Sequence, residues 1–486
     1  MSMNDFVQDK KKEAVKWLVA IAIYLIVSHL PTGGDLTPLG LKVLGIFLAV
    51  IFGWLSIGIL WPSIFGMLGF ILIDATTLNE FLAPGWGSNV ALFLIVALLF
   101  AKVVEESSLG AWLTDFCLSR KLIAGRPYVY TFFLFFISWN LAWMSNCYLA
   151  VFMFIILIKE ACRKYNMQPG NAWSLCTFVG CAVAAVWGQM IFSFYPQPVV
   201  FVNLYQSVSG NIIDPLRYTI FMVVSGLLGI IAYTLFMKFV LRPDVSALRA
   251  IERLDKSPKM TREQKIVVGF LVLLVVGLLL PSILPENFVF CRIMAKINTF
   301  GYGVALVFLL SFIPKDHGKG RIIGLGDFDY LASKSTLWPV LFVCTFIVGF
   351  SPVMNSEETG IITTMSGFIS DHISMVSPFI FAAIAISVAI LVTNTSNNMV
   401  IASILLMVLP AVCASLDMNS VPIGMLVILG SNTAFATPAA YAALSAMFTE
   451  KEYITGKYYL YSFIAMIFFI VFEIFVAYPI AQVLFT

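Results

Sequence analysis

The chain has 486 residues, 60% of apolar types and only 11% charged, with 29 basic against 26 acidic side chains and a formal net charge of +3. A water-soluble domain carries roughly 25% charged residues, so soluble enzyme folds are excluded as the main architecture, and so balanced a charge gives no footing for nucleic acid. The apolar runs approach the length of a spanning helix and do not alternate as short strands, which predicts an all-α polytopic membrane protein set in a lipid bilayer and not a β-barrel.

In chain order, apolar segments fall at about 15–31, 38–57, 58–74, 89–107, 126–162, 171–205, 216–241, 264–283, 298–314, 335–353, 374–416, 421–449 and 458–484. Lys10, Lys11 and Lys12 lead into the first. That segment is long enough to span, and no small-residue cleavage site follows it, so it reads as a span and not as a signal peptide. Segments 126–162 and 374–416 exceed the ~20 residues of one span. Each has a polar tip in its middle: Ser145-Asn146-Cys147 in the first, Thr393-Asn394-Thr395-Ser396-Asn397-Asn398 in the second. These two are expected to be re-entrant hairpins, which leaves about 11 transmembrane helices. Segment 171–205 is interrupted from Gly188-Gln189 to Ser193. Segment 421–449 is interrupted at Gly430-Ser431-Asn432-Thr433 and again at Thr437-Pro438.

Positive charge tests the layout, because cytoplasmic loops collect Lys and Arg. With the N-terminus in the cytoplasm, the inner side holds Lys10 to Lys16, Arg120 to Arg126, Lys159 to Lys164, the loop from Arg242 to Lys265, Lys315 to Lys334, and Lys451 with Lys457. Only Lys42, Arg217, Arg292 and Lys296 fall on or near the outer side. The same bias holds if the hairpins are paired spans, so the polar tips decide for re-entrant hairpins. A multi-pass cell-membrane protein follows, with a prokaryotic inner membrane as the expected setting.

The loop 242–263 reads as a cytoplasmic linker between two halves, 1–241 and 264–486. Each half has one hairpin followed by one broken helix. The first hairpin opens from the cytoplasm and the second from outside, which makes an inverted repeat. Interrupted helices at matching places in two halves point to a transporter's midplane site. Lipid cannot satisfy free N–H and C=O groups, so such breaks must face protein or a watery cavity. A helix N-terminus at a tip offers unpaired N–H groups and partial positive charge to an anion. Exposed carbonyls at the same breaks can coordinate a small cation.

Other residues carry less. The eight cysteines have no CxxC or Cys/His spacing and read as free thiols, not metal ligands. His29, His317 and His372 sit near segment ends. Without paired histidines, an acidic cluster or an HExxH run, no enzyme and no covalently held cofactor is expected. Glu473 lies inside the last segment between Phe472 and Ile474. It reads either as a protonated or interface-paired acid or as a proton-coupling group. Trp143 and Trp187 either line the pocket or pack.

The tips and the Thr437-Pro438 turn resemble the divalent anion:sodium symporter family, the INDY-like di- and tricarboxylate transporters, over nearly the whole chain. That resemblance implies secondary active transport of small organic anions, coupled to sodium or run as anion exchange. It assigns the substrate to Ser145, Asn146, Cys147, Ser396, Asn397, Asn398, Thr437 and Pro438. It assigns sodium to Ser145, Asn146 and Gly188 in the first repeat, and to Thr393, Thr395, Ser396, Asn397 and Ala436 in the second. It also implies a homodimer with scaffold and transport subdomains and an elevator-type mechanism. The chain departs from the family pattern in several places. Cys147 and Asn398 stand where the tips have Thr, Leu141 and Val392 where a hydroxyl precedes each tip, and Phe194-Tyr195 where prolines are expected. Sodium prefers oxygen ligands, so the first sodium site is expected to be weakened or absent. The alternative is a related carrier of another solute, an inorganic oxyanion or a monocarboxylate, with proton coupling or none to sodium.

Overall fold

The computed structural model describes residues 3–58, 60–86, 89–251, 259–315, 320–333, 337–361, 363–364, 377–395 and 397–485. Ser396, His317 and His372 lie outside the described residues.

The first half builds α1 (Met3–Ser28), α2 (Pro38–Ser56), α3 (Leu60–Leu72), α4 (Leu78–Gly85), α5 (Asn89–Glu106), α6 (Leu109–Leu118), α7 (Pro127–Met144), α8 (Cys147–Lys164), α9 (Ala172–Gln189), α10 (Pro196–Ser209) and α11 (Pro215–Phe236). The second half builds α12 (Arg262–Leu279), α13 (Val289–Leu310), α14 (Leu325–Ser333), α15 (Leu337–Asn355), α16 (Pro378–Thr393), α17 (Asn398–Ser415) and α18 (Ser420–Ser431). A 3₁₀ turn over Ala442–Thr449 follows, then α19 (Gly456–Phe472), a wide π turn over Glu473–Ala477, and α20 (Tyr478–Phe485). Among the described residues there is no strand, only an isolated bridge between Pro314 and Arg321. Among the described residues, six helical stretches are long and apolar enough to cross a membrane: Ala172–Gln189, Pro215–Leu241, Arg262–Ser282, Val289–Leu310, Asn398–Ser415 and Gly456–Phe485.

Helix starts follow from local chemistry. Proline opens α2, α7, α10, α11 and α16, where its fixed φ suits the first turn and no N–H is lost. Thr37, Asn171, Asp214 and Ser377 accept a first-turn N–H on their side-chain oxygens. Thr261 and Gln264 form a reciprocal capping box at α12.

Two helices are buried on nearly every face: α9 from Trp173 to Gly188, and α18 from Ser420 to Ser431. A helix apolar all round belongs in the centre of a large bundle. α9 packs on α7, α8, α11 and α19; α18 packs on α16, α17, α10 and α20. The contact of α9 with α7 needs Gly188, since a Cβ there would sit 2.1 Å from the Trp139 carbonyl oxygen. By contrast α12 and α13 leave most of their apolar surface uncovered, with Val272, Leu273, Phe308 and Leu309 exposed, as lipid-facing helices do.

The structure departs from the sequence expectation in several places, among them α4 and α14, which lie between the expected apolar segments. The stretch after α5, expected as an inner loop, contains α6. Helix α13 begins at Val289 rather than near 298, because Asn298 bends it without ending it. Asn298 has φ 53° and ψ −172°, and its Oδ1 accepts the N–H of Phe300 (3.1 Å) and Gly301 (3.3 Å), so it caps the second piece of a kinked helix.

At one end of α5, Lys102 pairs with Asp327 of α14 and with Glu106, and Glu106 also pairs with Lys315 (2.9 Å). Burial opposes the charge on Asp327. The Lys102 ammonium and the Gly324 N–H outweigh it and hold the carboxyl below the usual range.

Candidate functional site

The first tip joins α7 to α8. Ser145 is buried, and its N–H still reaches the Leu141 carbonyl at 3.0 Å. Asn146 is the N-cap of α8: its Oδ1 accepts from Leu149 N (2.8 Å), while its Nδ2 donates to Ser145 Oγ (3.3 Å). Cys147 is the first residue of α8 and is buried. Leu141 is fully buried and its side chain brings no oxygen. Beside this tip stands a ring cluster. Trp143 meets Phe192 edge-on at 5.7 Å, and Phe192 stacks with Phe194 (5.2 Å) and Tyr195 (5.6 Å). Those three rings occupy the break between α9 and α10. Trp143 also donates Nε1–H to Asn140 Oδ1 (3.0 Å).

The second tip joins α16 to α17. Asn397 is the N-cap of α17 and its Oδ1 accepts from Met399 N (2.9 Å). Both tip asparagines thus spend their carbonyl oxygen on a helix end. Thr393 is buried and donates to the Ser431 carbonyl at 2.7 Å. Thr395 is exposed and bonds back to the Val392 carbonyl (2.9 Å). Thr437 donates to the Asn394 carbonyl at 2.8 Å, and Pro438 after it is exposed.

Asn394 is the centre of this half. Its Nδ2 donates to the carbonyls of Ile390 (2.8 Å) and Thr433 (2.7 Å), and its Oδ1 accepts the N–H of Phe435 and of Ala436, both at 2.8 Å. One side chain therefore satisfies the backbone groups that the break after α18 frees, as buried polar backbone requires. In the sequence Asn394 stands only as one polar residue of the tip. Ala436, expected as a carbonyl donor, has its N–H in this clamp.

A chain of amides ties the two halves together. Asn398, at the start of α17, donates Nδ2–H to Asn432 Oδ1 (2.8 Å), and Gln197 of α10 reaches the same oxygen at 3.3 Å. Tyr441 OH lies against the amide oxygens of Gln189 (2.6 Å) and Gln197. The hydroxyl has one proton, so it donates to one of these two oxygens at a time. Sequence reasoning misses Gln197 and Tyr441. Their partners lie some 240 residues away, and no local pattern marks them. The ion pairs of Lys102 with Glu106 and Asp327, of Lys315 with Glu106 and of Lys159 with Glu450 all lie away from the tip residues.

Glu473 is fully buried beside this junction. Its Oε1 lies 2.7 Å from Thr433 Oγ1, and its Oε2 has no partner. Thr433 Oγ1 also lies 3.1 Å from the Leu429 carbonyl and accepts Nε1–H of Trp187 at 3.1 Å. Trp187 therefore packs and bonds in the interior.

Two helix-turn-helix tips, each followed by a broken helix, are the architecture of a secondary membrane transporter. The model of the sodium:sulfate symporter transmembrane region matches residues 11–486, so the chain belongs to that family, in keeping with its hairpin-tip resemblance. It is a membrane transporter of anions and not an enzyme. Among solved structures it is similar to the YdaH transporter of Alcanivorax borkumensis, described as having an unusual topology, with TM-score 0.53, 14% identity, and coverage of 83% of this chain and 87% of that one. That likeness concerns the fold. No curated protein matches the chain.

Proposed function

We propose that the chain is a secondary carrier of small organic anions of the di- or tricarboxylate class, run by sodium symport or by exchange. The observation that carries this reading is the polar junction of the two halves. Asn398 and Asn432 of the second half meet Gln197 of the first, beside Tyr441 and Gln189. This supplies several neutral donors next to a helix N-terminus, which is the chemistry a carboxylate needs. Ser145, Asn146, Cys147, Ser396, Asn397, Asn398, Thr437 and Pro438 form the substrate side of the proposal.

Sodium belongs to the second repeat in this reading. The Thr393 hydroxyl and the Ser431 carbonyl place two oxygens side by side at 2.7 Å, and hard cations take oxygen. Thr395, Ser396, Asn397 and the Ala436 carbonyl complete the proposed set. Ser145, Asn146 and Gly188 form the weaker first site, where buried Leu141 and Cys147 stand in place of hydroxyls. The proposed organisation is eleven spans with re-entrant hairpins, halves 1–241 and 264–486 about a cytoplasmic linker, a cytoplasmic N-terminus, a homodimer and an elevator movement.

One observation favours a second reading. The Trp143–Phe192–Phe194–Tyr195 cluster puts apolar ring surface beside the first tip, which suits a monocarboxylate with an apolar body better than an inorganic oxyanion. Uptake of labelled succinate into proteoliposomes tests both, with sodium outside, inside or replaced by choline. Acceleration by an inward sodium gradient supports symport, and dependence on internal dicarboxylate alone supports exchange. No succinate movement, with uptake of an aromatic monocarboxylate, supports the second reading.

A further inference from the structure

We propose that Glu473 is a proton-binding site of this carrier, neutral in the present structure, and that release of its proton loosens the junction between the two broken helices. The argument starts from one hydroxyl. A threonine hydroxyl gives one hydrogen bond and accepts two. Around Thr433 Oγ1 stand three groups at hydrogen-bond distance: Leu429 O at 3.1 Å, Trp187 Nε1 at 3.1 Å and Glu473 Oε1 at 2.7 Å. Trp187 can only donate and Leu429 O can only accept. If Glu473 holds its proton on Oε1, it donates to Thr433, Thr433 donates to Leu429 O, and all three positions are filled. Its Oε2 is then a carbonyl oxygen, the form of the carboxyl that tolerates having no partner best.

If Glu473 is ionised, Thr433 turns its proton to the carboxylate and Leu429 O loses it. A full negative charge then sits with one hydrogen bond, an unpartnered Oε2 and no exposed surface. Buried charge of that kind is strongly disfavoured unless a cation pairs with it. The π turn carrying Glu473 packs against α11, α16, α18, α19 and α20. α16 and α18 have no ionisable side chain. α11 carries Arg217 at one end, bonded to the Leu484 carbonyl, together with Tyr218 and Tyr233; α19 carries an exposed Lys457 with Tyr458, Tyr459 and Tyr461 in its first two turns; α20 carries Tyr478. Tyr233 gives its proton to Cys176 O and Tyr458 to Phe435 O. Among the described residues no cation faces the carboxyl.

Thr433 makes the proton matter elsewhere. Its side chain receives Trp187, next to Gly188 at the end of α9, and its carbonyl receives Asn394 Nδ2 from the second tip. A change at Glu473 therefore reaches both broken helices through one residue. The inference goes beyond the anion site and depends on the carboxylate-transport reading only where flux is measured.

Infrared spectroscopy of the full chain in liposomes, wild type beside Glu473→Gln, tests the proton directly. The variant can donate an amide N–H to Thr433 in place of the acid and is expected to fold. The expected result is a carboxylic-acid C=O band in the wild type at neutral pH that is missing from the variant and fades as pH rises. A trapped pH dye should report proton movement with succinate in the wild type, falling to background in Glu473→Gln. No band difference at neutral pH would overturn the proposal. So would a band that is present while the variant keeps the wild-type proton flux and pH profile. If the wild type moves no dicarboxylate, the substrate proposal fails alone, and the band with its response to pH still decides whether Glu473 holds an exchangeable proton.

Discussion

Asn394 Oδ1 accepts the backbone N–H groups of Phe435 and Ala436 together, at 2.8 Å each, while its Nδ2 donates to Thr433 O at 2.7 Å. A single amide side chain from the hairpin tip thus takes the place of a missing helical turn in the neighbouring segment. Asn394→Ala removes that service and leaves two buried N–H groups unsatisfied, at about 1–3 kcal/mol each. Asn394→Asp keeps both acceptor contacts and loses both donations. Thermal unfolding in detergent should rank wild type, then Asp, then Ala. A melting temperature for Asn394→Ala equal to wild type would contradict the clamp.

Thr393 and Thr395 separate in the structure although they are two residues apart in sequence. Thr393 is buried against the Ser431 carbonyl, whereas Thr395 is exposed and bonded back to its own helix. Thr393→Val is therefore expected to raise the sodium concentration needed for half-maximal uptake at least several-fold, and Thr395→Val, at the exposed margin of the proposed set, to raise it by less. An unchanged sodium curve in Thr393→Val would remove Thr393 from the proposed cation site.

Gly188 needs its hydrogen side chain for packing. Gly188→Ala places a methyl group 2.1 Å from the Trp139 carbonyl oxygen, and relief requires α7 and α9 to move apart. Such overpacking costs about 1–3 kcal/mol and occasionally more. The folded yield and unfolding temperature should fall, whatever substrate is present. Unchanged stability with lost sodium dependence would instead favour a ligand role for the Gly188 backbone.

Asp327 gives the peripheral structure a pH dependence of fixed sign. Its carboxyl is held below the unfolded value by Lys102 and the Gly324 N–H. The stabilisation is present above the unfolded value, about 3.9, and is lost as pH falls through the lower folded value. The melting temperature should therefore drop on acidification in the wild type more steeply than in Asp327→Asn. Parallel acid limbs for the two proteins would show that the Lys102–Asp327 pair contributes nothing.

The hairpins and breaks are legible in the sequence because an apolar run too long for one span must turn somewhere, and polar residues in its middle mark the turn. Asn146 and Asn397 are legible as tip residues, but not the fact that each spends its oxygen on a cap. Asn398 is legible as a tip residue and Asn432 as part of a helix break, but not that they meet each other and Gln197, since the three sit in separate segments and no pattern marks Gln197. Glu473 is visible as an intramembrane acid. Its partner Thr433, forty residues earlier in the chain, emerges only once α18 and α19 are packed together.

The wide turn at Glu473–Ala477 sets which side of the last helix faces inward. Before it, Ser462, Ala465, Phe469 and Phe472 mark one buried stripe. Carried on without interruption, that stripe would reach Pro479 and Val483, yet Val483 is 82% exposed and the buried residues are Tyr478, Ala481 and Phe485. One extra residue in the turn advances the helix by about 100° and resets which side faces inward. Deleting one residue of the five would turn the wide turn into an ordinary helical turn and leave Phe485 inward and Val483 outward. Winding all five residues as regular α-helix would instead swing Phe485 outward and Val483 inward, although every side chain in α20 stayed the same.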